Sequence, residues 1–187
     1  MFLDYRVGSG WDGTVAFEGN GTINNAVSED LEYAWTTRVG FFPDTHADDF
    51  GYILHDINDD DVPEFFWVQS DHKILAVFTY HNGEVVLLDA YWYRHYAYVS
   101  EEGELYSGGS SGAAEHQYNI YGIQNGQLTA VCGFRSTYNS TKGEAEYYEF
   151  DHGEEVQITQ ERYKQLGAIY PCVDSAFWLS RPIVPLG

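Results

Sequence analysis

Five carboxylates and an asparagine crowd into residues 56–64, "DINDDDVPE", immediately ahead of the apolar run "FFWV". Counted from Asp56, oxygen-bearing side chains recur at positions one, three and five as Asp56, Asn58 and Asp60; the carbonyl of Val62 follows at seven and Glu64 at nine. Calcium is a hard cation that takes six to eight oxygens at about 2.3–2.6 Å, and a loop offering alternate side chains plus one backbone oxygen supplies most of them. The expected chemistry is coordination of a structural calcium ion by Asp56, Asn58, Asp60, Val62 and Glu64. A solvated acidic turn is the plain alternative, but Asp56, Asp59, Asp60, Asp61 and Glu64 would repel one another without a cation. A twelve-residue EF-hand is excluded, because position twelve is Trp67 where that loop needs a bidentate glutamate. Asp61 stands at position six, where a sharp turn usually has glycine, and aspartate enters the left-handed region more readily than most residues. With dissociation constants of about 10⁻⁴–10⁻³ M, typical of extracellular sites, ~1 mM calcium would add roughly 0.4–1.4 kcal/mol. Such an ion is a staple and not a sensor.

The second chemistry-bearing stretch is "AYWYRHYAYV", residues 90–99. Read as one strand, its alternation puts Tyr91, Tyr93, His95 and Ala97 on one face and Trp92, Arg94, Tyr96 and Tyr98 on the other. Exposed aromatic rings stack on sugars, and tyrosine or tryptophan beside arginine also suits a protein interface. Tyr91, Trp92, Tyr93 and Arg94 are therefore the candidate ligand-binding residues, against the alternative that both faces are covered inside a sandwich.

No catalytic residue is assigned. "GGSSG", Gly108–Gly112, has the letters of a nucleophile elbow, but that motif needs a strand before it and a helix after it. Here it falls between strands and reads as a hairpin tip, with His116 nearby as a loop or strand histidine. The seven histidines form no H-E-x-x-H pair and none sits beside a cysteine in a zinc pattern. Carboxylates for glycoside hydrolysis need only lie about 5–10 Å apart in space, and 29 acidic residues offer many pairings. A secreted hydrolase is thus an alternative without a specific signal. Cys132 and Cys172 permit one disulfide or two buried thiols, and neither carries a nucleophile signature.

The elements that must position these residues follow from length and patterning. A chain of 187 residues suits one domain, and 44% hydrophobic content with 16 tyrosines, 11 phenylalanines and 5 tryptophans excludes the disordered class. A formal charge of −20 repels phosphate backbones and anionic headgroups, so neither nucleic acid nor a membrane surface is expected as a partner. No stretch approaches the roughly 18 apolar residues of a spanning helix, and "MFLDYRVGSG" lacks the basic start and apolar core of a signal peptide.

Residues 2–18 read as a hairpin. Ser28 can cap a helix over 28–39, with Leu31, Ala34, Trp35 and Val39 on one face. "YILHDI" and "EFFWVQS" read as strands on either side of the acidic loop. Residues 50–158 then repeat strand, tight turn, strand in "ILAVFTYHNGEVVLLDAYW", "AYVSEEGELYSG", "YNIYGIQNGQLTAVCGF" and "AEYYEFDHGEEVQI". Asn82-Gly83 and Asn125-Gly126 are hairpin signals because both central residues of a type I′ turn need positive φ; Gly103 and Gly153 mark similar turns. Thr159 caps a short helix within 159–170, which Gly167 can interrupt or end, and the tail "SRPIVPLG" is expected to run extended along the surface. The expected class is mainly β with one or two short helices, an antiparallel meander forming a curled sheet, a small barrel or a sandwich.

The loop resembles the nine-residue "DxDGDGxxE/D" connection of integrin-type propeller repeats. "GYILHDINDDDVPEFFWV", "YHNGEVVLL", "YSGGSSGAAEHQY" and "EEVQITQERYKQL" together resemble uncharacterised secreted or lipid-anchored proteins of Gram-positive gut bacteria. Those carry a "YALxDIDGDGxPELL" strand and loop, a "YxYxNGxVxxL" hairpin and an "EEISEEEY" helix start. The likeness covers roughly residues 50–170; residues 1–49 have no counterpart. It implies an ion loop at Asp56, Asn58, Asp60 and Glu64 and an extracellular or cell-surface setting, with a signal peptide or lipid anchor removed, but no activity. The leading expectation is a non-catalytic extracellular binding module, with carbohydrate or another surface protein as partner. A structural or adhesive domain is the further alternative, and oligomeric state is left open.

Overall fold

The structure is a computed structural model; it describes residues 6–9, 15–18, 49–92, 94–110, 115–170 and 174–185. The helix expected over 28–39 lies outside these residues. Of the first expected hairpin, β1 (Arg6–Ser9) and β2 (Val15–Glu18) are described and pair antiparallel.

Eleven further strands form two antiparallel sheets and no closed barrel. The five-stranded sheet has the order β13-β3-β4-β5-β6: β3 is Phe50–His55, β4 Glu64–Gln69, β5 Ile74–His81, β6 Glu84–Ala90 and β13 Val184–Pro185. The six-stranded sheet is a pure meander: β7 (His95–Val99), β8 (Leu105–Ser110), β9 (His116–Gln124), β10 (Gln127–Asn139), β11 (Glu144–Asp151) and β12 (Glu154–Ile158). The turn chemistry explains the regularity. Asn82 and Gly83, Asn125 and Gly126, and His152 and Gly153 all have positive φ, as two-residue turns of this hand require.

The residue alternation of each strand decides what the sheets bury. On β4, Phe66 and Val68 point inward and join Ile53, Ile74, Val77 and Tyr91 of the same sheet region with Ala97, Val99 and Leu105 of the six-stranded sheet in one core. Phe65 and Trp67 point the other way, into a second apolar cluster with Phe50, Leu75, Ala76 and Ala90. A register shift between Trp67 and Val68 lets Ile74, Leu75, Ala76 and Val77 all be buried, two on each face. Both faces of the five-stranded sheet are therefore apolar.

The outer face of the six-stranded sheet is covered by helix α1 (Gln160–Ile169), capped by Thr159, whose Oγ1 accepts from Arg162 N at 3.2 Å. Tyr163 and Tyr170 set their rings edge-on to Phe134, which stacks on Tyr118. Gly167 sits inside the helix and does not end it. Cys132, on β10 beneath this layer, is a free thiol that accepts from the Tyr170 hydroxyl at 3.7 Å; Cys172 lies outside the described residues.

The stretch "SRPIVPLG" is extended and exposed at Val184 and Pro185, and the turn of helix just ahead of it is the feature that the sequence did not announce. Residues 176–179 form a single helical turn, α2 (Ala176–Leu179), and β13 pairs with Gly51 and Tyr52 of β3. Trp178 is 0% exposed within the inter-sheet core, and its Nε1 donates to the His72 carbonyl at 2.9 Å. Glu101, in the β7–β8 turn, accepts from the amides of Ala176 and Phe177 at 2.8 and 3.2 Å. Replacing Trp178 with alanine is expected to cost about 3–5 kcal/mol in a denaturant melt, since it leaves a large void and an unpaired carbonyl.

Beside this plug, burial first and the Asp71 carboxylate second raise the Asp174 carboxyl to about 6, with His72 and Lys73 opposing. A raised folded value favours the protonated protein, so this group's contribution is complete below the unfolded carboxylate range and is lost as pH rises through about 6. Asp174→Asn should stabilise the protein at pH 7 by on the order of 1 kcal/mol once solvent screening is allowed for, read as a higher melting temperature, and the gap should close toward pH 4.

Candidate functional site

The acidic loop joins β3 to β4, and its position follows from the strand alternation. Glu64 is the first residue of β4 and shares the inward face of Phe66 and Val68, so its carboxylate is carried into the top of the core and is 0% exposed. Its Oε2 accepts from Ile57 N at 3.0 Å and its Oε1 from the Thr79 hydroxyl at 3.0 Å. Burial pushes the carboxyl up; these two donors pull it down, and the nearby Asp60 charge raises it again, leaving it above the ordinary range.

Asp56 organises the rest of the loop. Its Oδ1 accepts from Asn58 N and Asp60 N at 3.2 and 3.3 Å, and its Oδ2 from Asp61 N at 2.9 Å. Burial raises its carboxyl, but the backbone donors at Asp61, Asn58, Asp60 and Asp59 outweigh that and hold it below the usual carboxylate range. Asp59 and Asp61 have φ of 56° and 65°, so the glycine position of the sharp turn is left-handed here with aspartate in it. Asp60 spends Oδ1 on Val62 N at 2.8 Å and Oδ2 on Asn58 Nδ2 at 3.0 Å, while the Val62 side chain is exposed. Asn58 Oδ1 is buried with no hydrogen-bond partner. That orphaned oxygen stands at position three of the loop. Among the described residues no three His, Cys, Asp or Glu side chains converge closely enough to hold an ion as they stand; Asp56 and Asp60 face the loop's own amides.

The aromatic stretch is not one strand. Trp92 N donates to His95 O at 2.6 Å and His95 N to Trp92 O at 3.1 Å, so the chain reverses between Trp92 and His95 and passes from one sheet to the other. Simple alternation therefore fails across the turn. Tyr91 is 1% exposed in the inter-sheet core, stacked on His95, and burial followed by the Asp89 carboxylate holds its phenol well above the ordinary range. It is a core residue, a correction to its expected place on a binding face. Tyr93 lies outside the described residues. Trp92 and Arg94 do come together, at a groove of about 460 Å³.

The groove is an extension of the core face. Ala97, Val99 and Leu105 pack inward, and beyond them the same face continues through His95, Ser107 and Gly109, then Asn119 and Gln117, then Arg135. Gln117 Nε2 donates to Asn119 Oδ1 at 3.0 Å and Asn119 Nδ2 to the Tyr121 hydroxyl at 2.8 Å, which fixes a polar floor. At one end His95 Nε2 lies 2.9 Å from Asp89 Oδ2 and its ring 4.9 Å from that of Trp92. At the other, Arg135 makes two bonds to Glu155, at 2.8 and 3.0 Å, and stacks over Tyr148. Gly108, Gly109 and Ser110 belong to strand β8, which removes the elbow geometry from "GGSSG". A Cβ on Gly109 would stand 2.9 Å from the Arg94 carbonyl, so the glycine is what lets the crossover pass. The floor residues carried no sequence signal beyond polar alternation on β8 and β9.

No protein-family model, curated protein or solved structure matches the chain.

Asp56→Ala removes the acceptor of three loop amides. It is expected to lower the melting temperature by several degrees while leaving the far-ultraviolet spectrum of the sheets intact.

Proposed function

We propose that this chain is a non-catalytic binding module that works outside the cell, takes a saccharide in the groove between Trp92 and Arg135, and is stapled by calcium at Asp56, Asn58, Asp60, Val62 and Glu64. The observation that carries the reading is the groove itself: a polar floor of Ser107, Asn119 and Gln117 with fixed donors and acceptors, flanked by Trp92. Sugar rings offer hydroxyl pairs to such side chains and an apolar face to an indole. Its volume suits a small number of sugar units.

Two observations favour binding over hydrolysis. Glu115 is the carboxylate among the described lining residues, whereas glycoside cleavage ordinarily needs two. The carboxyls raised above their ordinary range, Glu64 and Asp174, do not line the groove. Calcium is supported by the orphaned Asn58 Oδ1 and by the Asp60 charge that bears on buried Glu64. The millimolar calcium that a weak loop needs is found outside cells, in keeping with the resemblance to secreted proteins.

The test is a glycan-array screen of the labelled protein in millimolar calcium, repeated with chelator, with melting curves in both buffers. Reproducible saccharide binding that Trp92→Ala weakens at least tenfold, and a melting temperature lowered by chelator, are the expected results. Silence across the array from folded protein would overturn the binding reading. Coincident melts would overturn the calcium staple alone.

A further inference from the structure

The groove is the place where an acidic chain presents an uncommitted cation. The sequence has 9 lysines and arginines against 29 acidic residues, and most of the described basic side chains are engaged. Lys73 holds Asp71, Arg135 holds Glu155, Lys142 holds Glu146 and Arg162 holds Glu149. Among the described residues Arg94, Lys164 and Arg181 make no ion pair; of these Arg94 is the one that lines the groove, and its Nη2 donates to Ser110 Oγ at 3.4 Å. It is exposed at the lip of the groove, next to Trp92 and His95. Glu115, the carboxylate among the described lining residues, acts through its charge on Arg135. The His95 ring is already engaged with Asp89.

Placing a guanidinium in this way has a physical consequence. At physiological ionic strength charges beyond about 8 Å are screened, so the −20 of the whole chain does not cancel a cation at contact distance. A planar guanidinium offers paired N–H donors that match the two oxygens of a carboxylate or of a sulfate ester. Trp92, beside it, offers a face for the ring that carries such a group.

Resting on the reading of the groove as a saccharide site, we propose that its ligand is an acidic saccharide, whose carboxylate or sulfate is held by Arg94 while the sugar ring lies toward Trp92 and its hydroxyls meet Asn119 and Gln117. Arg94 is then the specificity-determining residue: it distinguishes a charged sugar unit from its neutral counterpart, and the polar floor binds either. The surrounding negative field adds a second selection, because a densely charged polyanion is repelled where a ligand with one anionic unit at Arg94 is accepted.

The experiment is calorimetric titration of the whole protein in calcium buffer with three trisaccharides: one of uronic acids, its carboxyl-reduced neutral counterpart, and a sulfated galactan trisaccharide. The uronate is expected to bind at least tenfold tighter than its neutral counterpart, with the advantage shrinking as salt is raised. Arg94→Ala should abolish the advantage, bringing the uronate down to the affinity of its neutral counterpart in the same variant, while Arg94→Lys should retain part of it, since charge survives without the planar fork. Tighter binding of the sulfated ligand than of the uronate, lost in Arg94→Ala, assigns the anion as sulfate within the same proposal. Equal binding of the acidic and neutral ligands, or an advantage that survives Arg94→Ala, would overturn the acidic-ligand inference and leave the saccharide reading standing. Absence of binding by all three would overturn both.

Discussion

The fold depends on the core between the two sheets, and on Trp178 as the side chain that closes it. Each sheet can hydrogen-bond itself, but neither can bury its inner face alone, so burial between the sheets is the driving contact. Trp178 reaches in from the tail and touches Phe66, with ring centroids 5.0 Å apart. Around it the polar links run to both sheets: His72 through its carbonyl to the indole and through its ring to the Arg181 carbonyl, Arg181 to the Leu54 carbonyl, and Glu101 to the helical turn. His55 extends the same joint, bonding the Gly103 carbonyl at 2.8 Å and meeting the Phe177 ring edge-on. The last residues of the chain thus fasten turns that are far apart in sequence.

The acidic loop and the groove are both consequences of where that core stops. Glu64 stands on the inward face of β4, so the core's upper limit is a buried carboxylate and the loop above it must satisfy that charge. The six-stranded sheet continues past its apolar contact with Ala97, Val99 and Leu105, and the same face turns polar there. On β7 and β8 one side therefore serves packing at Ala97, Val99 and Leu105 and faces the groove at His95, Ser107 and Gly109.

Much of this was legible in the sequence. The Asn-Gly turns, the strands flanking the acidic loop and the Thr159 cap are local features, and local backbone preferences are written in a few adjacent residues. The left-handed conformation of Asp61 was legible for the same reason. The stretch from Ala90 to Val99 misled, because alternation assumes an unbroken strand; the sequence between Trp92 and His95, where the two pair, has neither glycine nor asparagine to announce a reversal. Ahead of the tail, the helical turn Ala176–Leu179 had no sequence reading, because its stability comes from Trp178 and the Glu101 acceptor and not from local propensity.

The sequence by itself determined the mainly β class of the protein, its meander, its turns and the crowding of oxygen-bearing side chains between β3 and β4, because these depend on period, turn chemistry and charge density along the chain. Only the tertiary structure decided that the meander splits into two sheets at Trp92–His95, that Tyr91 is core, and that Arg94 meets a polar floor from β8, β9 and β10. Those facts rest on which strand faces meet across the sandwich. Strand pairing and sheet packing join residues distant in sequence, and no short stretch encodes them.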